Sequence, residues 1–132
     1  MAASKNGGGA VAEVANVRML TVEDILAADD IAEAVIEVPE WGGSVRIRAF
    51  SKAVEQRLRT ESGGATDFDT DRFEMLLFIE GVVDPKFTVE QLDALKEKNT
   101  KPFDRVTAAI MDIAGLSKEA VDKAKATFPP RP

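Results

Sequence analysis

Residues 33–50, EAVIEVPEWGGSVRIRAF, constrain the fold of this chain most strongly, because strand periodicity and turn chemistry coincide there. Val45, Ile47 and Ala49 alternate with Arg46 and Arg48, the period of a strand with one face buried and the other in water. The run AVIEV before Pro39 supplies a second β-rich segment, and Pro-Glu-Trp-Gly-Gly-Ser joins the two. That link is longer than a two-residue turn, and its glycines permit the positive φ that a reversal uses. An antiparallel hairpin is predicted. Trp41, the sole tryptophan, lies on the link. Its indole either folds back over the hairpin to cover a helix or stands out as an anchor for another protein; in both readings its role is burial.

The other periodic segments read as short helices. Thr21 with Glu23 and Asp24 behind it opens one that ends near Ala28. Ser51 caps a second that reaches about Thr60, with Val54 and Leu58 inward and Arg57 and Arg59 toward solvent. A third covers about Thr70 to Glu80, with Gly81 placed as a left-handed C-terminal residue. Thr88 and Gln91 have capping-box spacing, and Phe87 and Leu92 staple spacing, for a fourth that extends to about Lys98. Pro102 sits in the first turn of a fifth, where Phe103, Val106, Ile110 and Ile113 form one stripe before Gly115. Ser117 starts a final short helix, which Phe128-Pro129-Pro130-Arg131-Pro132 cannot continue.

The expected fold is α+β and mainly α, with one antiparallel hairpin at about 33–50 followed by a bundle of four to five short helices. It forms one globular domain over 18–127, between a flexible Gly- and Ala-rich arm at 1–17 and a Pro-rich tail at 128–132. A chain of 132 residues buries roughly two-thirds of its unfolded surface, enough for one core.

Composition narrows the function. Without cysteine there is no disulfide framework and no thiolate metal site, which fits a cytosolic setting. The longest apolar run, from Met75 to Ile79, is far short of the roughly 20 residues that span a bilayer, and the N-terminus has no signal-peptide core, so no membrane association is expected. A net charge of -6 disfavours nucleic acid, whose phosphates need clustered Lys and Arg. That charge is uneven: residues 1–95 hold 9 basic and 18 acidic groups, and residues 96–132 hold 8 and 5. Such asymmetry is ordinary surface variation or a means of orienting like molecules.

No catalytic, cofactor or metal site is expected. Histidine and cysteine are absent, and with them the commonest general base and the best nucleophile. There is no Gly-x-Ser-x-Gly elbow, and Gly7-Gly8-Gly9 lacks the Lys and Ser or Thr of a phosphate loop. Asp67, Asp69 and Asp71 imitate the opening of a calcium loop, but Arg72 stands where that loop wants glycine and Phe78 where it wants glutamate. Acids gathered at a helix N-terminus explain the run.

The segment FEMLLFI is more informative. Phe73, Leu76 and Leu77 share one helical face, while Met75, Phe78 and Ile79 lie on others. So wide an apolar belt belongs either to a central helix packed on several sides or to a helix with one side kept for a partner. Trp41, Met75, Phe78 and Ile79 are the candidate partner-binding residues.

The order LTVEDILAADD, a strand, VPEWGGSVRIRAFS, a helix with Glu55 and Arg57, and then VVDPKFTVEQLDAL before a terminal helix pair resembles the small tail assembly chaperones of long-tailed bacteriophages, closest to the XkdN-like type. The likeness covers residues 19 to about 125 and rests on Pro39-Glu40-Trp41-Gly42-Gly43 followed by Val45-Arg46-Ile47-Arg48, and on Asp84-Pro85 followed by Phe87-Thr88. The arm at 1–17 has no counterpart in it. The resemblance implies a non-enzymatic assembly factor in the cytoplasm of the infected host, absent from the mature virion. It would bind the tape measure protein, keep it soluble and help tail tube protein polymerise around it. Self-association would suit such a factor, although no heptad pattern sets its order. Two rivals are a structural tail or connector subunit retained in the virion and an enzyme working with clustered carboxylates.

Overall fold

The computed structural model describes residues 17–116 and divides after Asp30 into two units. In the first, α1 (Val22–Ala27) is opened by a reciprocal capping box. The Asp24 N–H donates to Thr21 Oγ1 at 3.1 Å, and the Thr21 N–H donates to Asp24 Oδ2 at 3.0 Å. α1 buries no side chain, and the second unit starts at Ile31. The arm through residue 16, the helix expected from Ser117 and the Pro-rich tail lie outside the described residues.

The second unit begins with the predicted hairpin. β1 (Glu33–Val38) pairs antiparallel with β2 (Gly43–Arg48), from Glu33 opposite Arg48 to Val38 opposite Gly43. Ala34, Ile36 and Val38 face Ile47, Val45 and Gly43 on the inner side, and Val35 faces Arg46 on the outer. The link is a single 3₁₀ turn over Pro39–Trp41, closed by Gly42 at φ +78°. A β-carbon there would be strained, so glycine is what lets the indole end and β2 begin within two residues.

A third strand, β3 (Val82–Asp84), extends the sheet on the β2 side, with Ile47 opposite Val82 and Arg46 opposite Asp84. It makes a three-stranded sheet of what the sequence presented as a hairpin. Three residues are too few to display an alternation, and the pairing partner lies far away in sequence.

Four helices follow the hairpin among the described residues. α2 (Lys52–Glu61) is capped by Ser51, whose Oγ accepts from the Val54 N–H at 3.2 Å. Leu58 is buried as expected. Arg59 does more than face solvent: it donates to Glu55 at 2.9 and 3.1 Å and lies over the Phe73 ring at 5.3 Å. Together with Lys52 it satisfies Glu55, which is buried and whose carboxyl is held low first by the Lys52 hydrogen bond.

α3 (Thr70–Gly81) takes Asp69 as its cap, through the Arg72 N–H at 3.1 Å, so one acid of the calcium-like run ends up closing a helix. Packed against α2, β3 and α5 (Thr100–Ile113), it buries Phe73, Leu76, Leu77, Phe78 and Ile79. The left-handed role expected of Gly81 is not what the structure shows. Gly81 is the last helical residue, its φ is not positive, and a β-carbon on it would come within 2.7 Å of Ile110 Cδ1 and Cγ2. Glycine is there for close packing on α5. The Ile79 carbonyl, left without a helical partner, accepts from Lys86 Nζ at 2.9 Å.

α4 (Leu92–Lys96) is entered through a 3₁₀ turn over Val89–Gln91, where Gln91 Oε1 accepts from the Thr88 N–H at 2.9 Å. α5 starts at Asn99, and Gly115 ends it with Leu116 N–H donating to Met111 O. Val106 and Ile110 are fully buried, with Phe103 and Ile113 half-buried on the same stripe. Among the described residues no helix is long and apolar enough to cross a membrane.

Candidate protein-binding site

Phe78 is wholly enclosed, and three rings from three other parts of the chain rest on it. Phe103 from α5 stacks at 5.0 Å between centroids, Phe87 from the loop before α4 meets it edge-on at 5.4 Å, and Trp41 from the hairpin turn does so at 6.4 Å. Those separations and tilts are the favoured geometries of aromatic pairs. Trp41, Phe87 and Phe103 are each half-buried, so each has one side on the core and another toward solvent.

Two neighbouring grooves open on these outer sides. The larger, about 560 Å³, lies between the hairpin turn and α4 and is lined by Trp41, Phe87, Ala94 and Leu95, with Glu40, Gln91 and Lys98 at its polar margin. The smaller, about 390 Å³, holds Met75 and Phe103 beside Asp71, Glu74 and Asp104. Leu95 and Lys98 line both, so the last turn of α4 and the residues just after it separate them. An apolar floor with a few polar groups at the edge is the usual composition of a recognition groove.

The turn that presents Trp41 is fixed by a fork. Arg105 of α5 donates from Nη1 and Nη2 to the two carboxylate oxygens of Glu40 at 2.6 and 2.7 Å. The Arg105 hydrogen bonds are the main reason the Glu40 carboxyl is depressed to about 2. In the smaller groove the shift runs the other way: burial, then the charges of Asp104 and Asp71, raise the Glu74 carboxyl. This groove therefore brings together carboxylates, one of them raised, which is the arrangement a carboxylate enzyme would need; Lys96 and Lys98 on its wall bring compensating charge. Among the described residues no group of three acids is placed to hold a metal ion.

The four residues expected to bind a partner separate into two pairs. Trp41 and Met75 line the two grooves. Phe78 at 0% exposure and Ile79 at 8% belong to the buried core, Phe78 beneath Trp41, Phe87 and Phe103, and α3 packs on α2, α5 and β3. For those two the central-helix reading of FEMLLFI holds. Their place in the grooves is taken by Phe87, Ala94, Leu95 and Phe103. Phe87 was visible in the sequence as a staple residue and Phe103 as part of a stripe, but a side chain that caps a core and lines a groove looks in sequence like one that only caps a core.

Compared with known protein families, with curated proteins and with solved structures, the chain matches none.

Proposed function

We propose that the chain is a non-enzymatic tail assembly chaperone of a long-tailed bacteriophage, which holds apolar segments of the tape measure protein and keeps that protein soluble while tail tube protein polymerises around it. The proposal joins the resemblance of the EVPEWGG and VVDPKFT segments to one observation, the apolar groove walled by Trp41, Phe87 and Leu95. A groove seated on a buried aromatic cluster keeps its shape when empty, so a captured segment loses freedom but the receptor loses little. Partly apolar partner segments offer the aliphatic and aromatic side chains that such walls accept. The site of action is the host cytoplasm, before the virion is complete.

Co-expression with the product of a long open reading frame beside this gene tests the proposal. The wild-type chain is expected to keep that product soluble and to be retained with it in a pull-down. Trp41→Ala, which removes one wall of the groove, is expected to lose most of that retention while remaining folded. Unchanged solubility of the partner with the wild-type chain, and no retention, would overturn the reading. Mass spectrometry of purified virions distinguishes it from a retained tail or connector subunit.

A further inference from the structure

Among the described residues the fold leaves one six-residue sheet edge without a neighbour, since β1 is the outer strand of the order β1-β2-β3. The Ala49 N–H donates to the Ala32 carbonyl at 2.8 Å, which makes these two a hydrogen-bonded pair and fixes the phase of the ladder. Ala34, Ile36 and Val38 therefore direct their N–H and C=O groups to β2, while those of Glu33, Val35 and Glu37 point the other way. No strand takes them up among the described residues.

Natural edges are commonly blunted by a proline, a bulge or an inward charge. β1 has none of these: Pro39 follows the strand, the register irregularity lies between β2 and β3, and the inward residues are Ala34, Ile36 and Val38. Val35, in the middle of the outward row, is 59% exposed. What the edge does carry is charge in an ordered pattern. On the outer face of the sheet Asp84 of β3 stands opposite Arg46 of β2, and Arg48 of β2 stands opposite Glu33 of β1, with Glu37 further along β1. The sign alternates from strand to strand, acid, base, acid, and the next place in that order falls to a base. β2 does not neutralise the row: Arg48 reaches Glu33 only at 3.6 Å with both side chains half exposed, and Glu37 lies opposite Ser44 and pairs with no cation among the described residues.

We propose that β1 receives an extended segment of a partner protein as an added antiparallel strand, and that this segment carries Lys or Arg at two positions four apart with a β-branched residue between them. The N–H and C=O of Glu33, Val35 and Glu37 each meet a residue directly opposite, so the backbone supplies the affinity. The side chains supply the choice. A base opposite Glu33 and another opposite Glu37 stand at cross-strand pair distance, a β-branched side chain covers Val35, and apolar residues between them fall beside half-buried Ala34 and Ile36. A second copy of β1 in the register centred on Val35 would set Glu33 against Glu37 at both ends, an opposition of like charges that destabilises the pair. The site uses neither the Trp41 groove nor the tape measure reading.

The probe is a capped peptide, Lys-Val-Thr-Val-Lys, with Glu-Val-Thr-Val-Glu as its counterpart, added to the full chain labelled for nuclear magnetic resonance. The basic peptide is expected to shift the amide signals of Glu33, Val35 and Glu37 saturably and to slow their exchange with solvent, and the acidic one to bind at least about tenfold more weakly. Glu33→Lys with Glu37→Lys, both at exposed positions, is expected to reverse that preference. Val35→Pro removes a donor that faces water in the free protein, so it is expected to fold and to lose about tenfold in affinity for the basic peptide. Should Val35→Pro fail to fold, the charge reversal still decides. No binding of the basic peptide, equal binding of the two peptides, or a preference that the double substitution leaves unchanged would each overturn the proposal. So would protection of the Val35 amide that grows with protein concentration in the absence of peptide, which would give the edge to a second copy. None of the substituted residues lines the Trp41 groove, so the pull-down of the preceding section can be repeated on these variants and the two proposals fail separately.

Discussion

Phe78 is the position where one substitution reaches furthest. Truncation to alanine leaves the rings of Trp41, Phe87 and Phe103 without their common support and is expected to cost about 3 to 5 kcal/mol, a large part of what a domain of this size has to lose. Urea unfolding followed by circular dichroism measures it; a cost below about 1 kcal/mol would mean that the cluster closes over the gap or was never tight. Trp41 emission, undisturbed by any tyrosine, reports in the same experiment whether the turn has come away. The sequence marked Phe78 as surplus to a single apolar stripe but could not say which way it would be used. A helix enclosed by neighbours and a helix with a free side carry the same apolar belt, and only the placement of α2, α5 and β3 against α3 decides between them.

Elements announced by local chemistry were legible, and those created by distant contact were not. Thr21, Ser51 and Thr88 each begin a helical turn where a hydroxyl, with an acid or amide three residues on in two of the three cases, says it should begin. The hairpin was legible because paired residues no more than 15 apart carry its whole pattern. β3 and the contact between Gly81 and Ile110 join residues dozens of positions apart and leave no local trace. Gly81→Ala tests the second of these. Although alanine is the better helix former, its methyl would press on Ile110, and a net loss of about 1 to 3 kcal/mol is expected. Trimming the neighbour with Ile110→Val should recover part of that loss. If Gly81→Ala proves stabilising by thermal melting, the close approach of α3 to α5 is not what holds glycine there.

At the scale of the whole molecule the two shifted groove carboxylates oppose each other. Glu40 is depressed to about 2, so the stability it contributes is fully present above the ordinary carboxylate range near 4.5 and is lost as pH falls through about 2. Glu74 is raised, so its folded state prefers the proton and stability falls as pH rises through its folded value. Melting temperature against pH should therefore drop between about 4.5 and 2 in the wild type, and Glu40→Gln should flatten that drop; identical acid limbs in the two proteins would show that the fork on Arg105 adds nothing. The partners in that fork are 65 residues apart, and this has a consequence in time. At synthesis rates of about 5 to 20 residues per second, the ribosome makes Glu40 roughly 3 to 13 seconds before it makes Arg105. Phe103 arrives in the same late stretch. The newborn hairpin therefore emerges with its carboxylate unclasped, and the turn that forms one wall of the groove is fixed only when α5 is threaded out behind it.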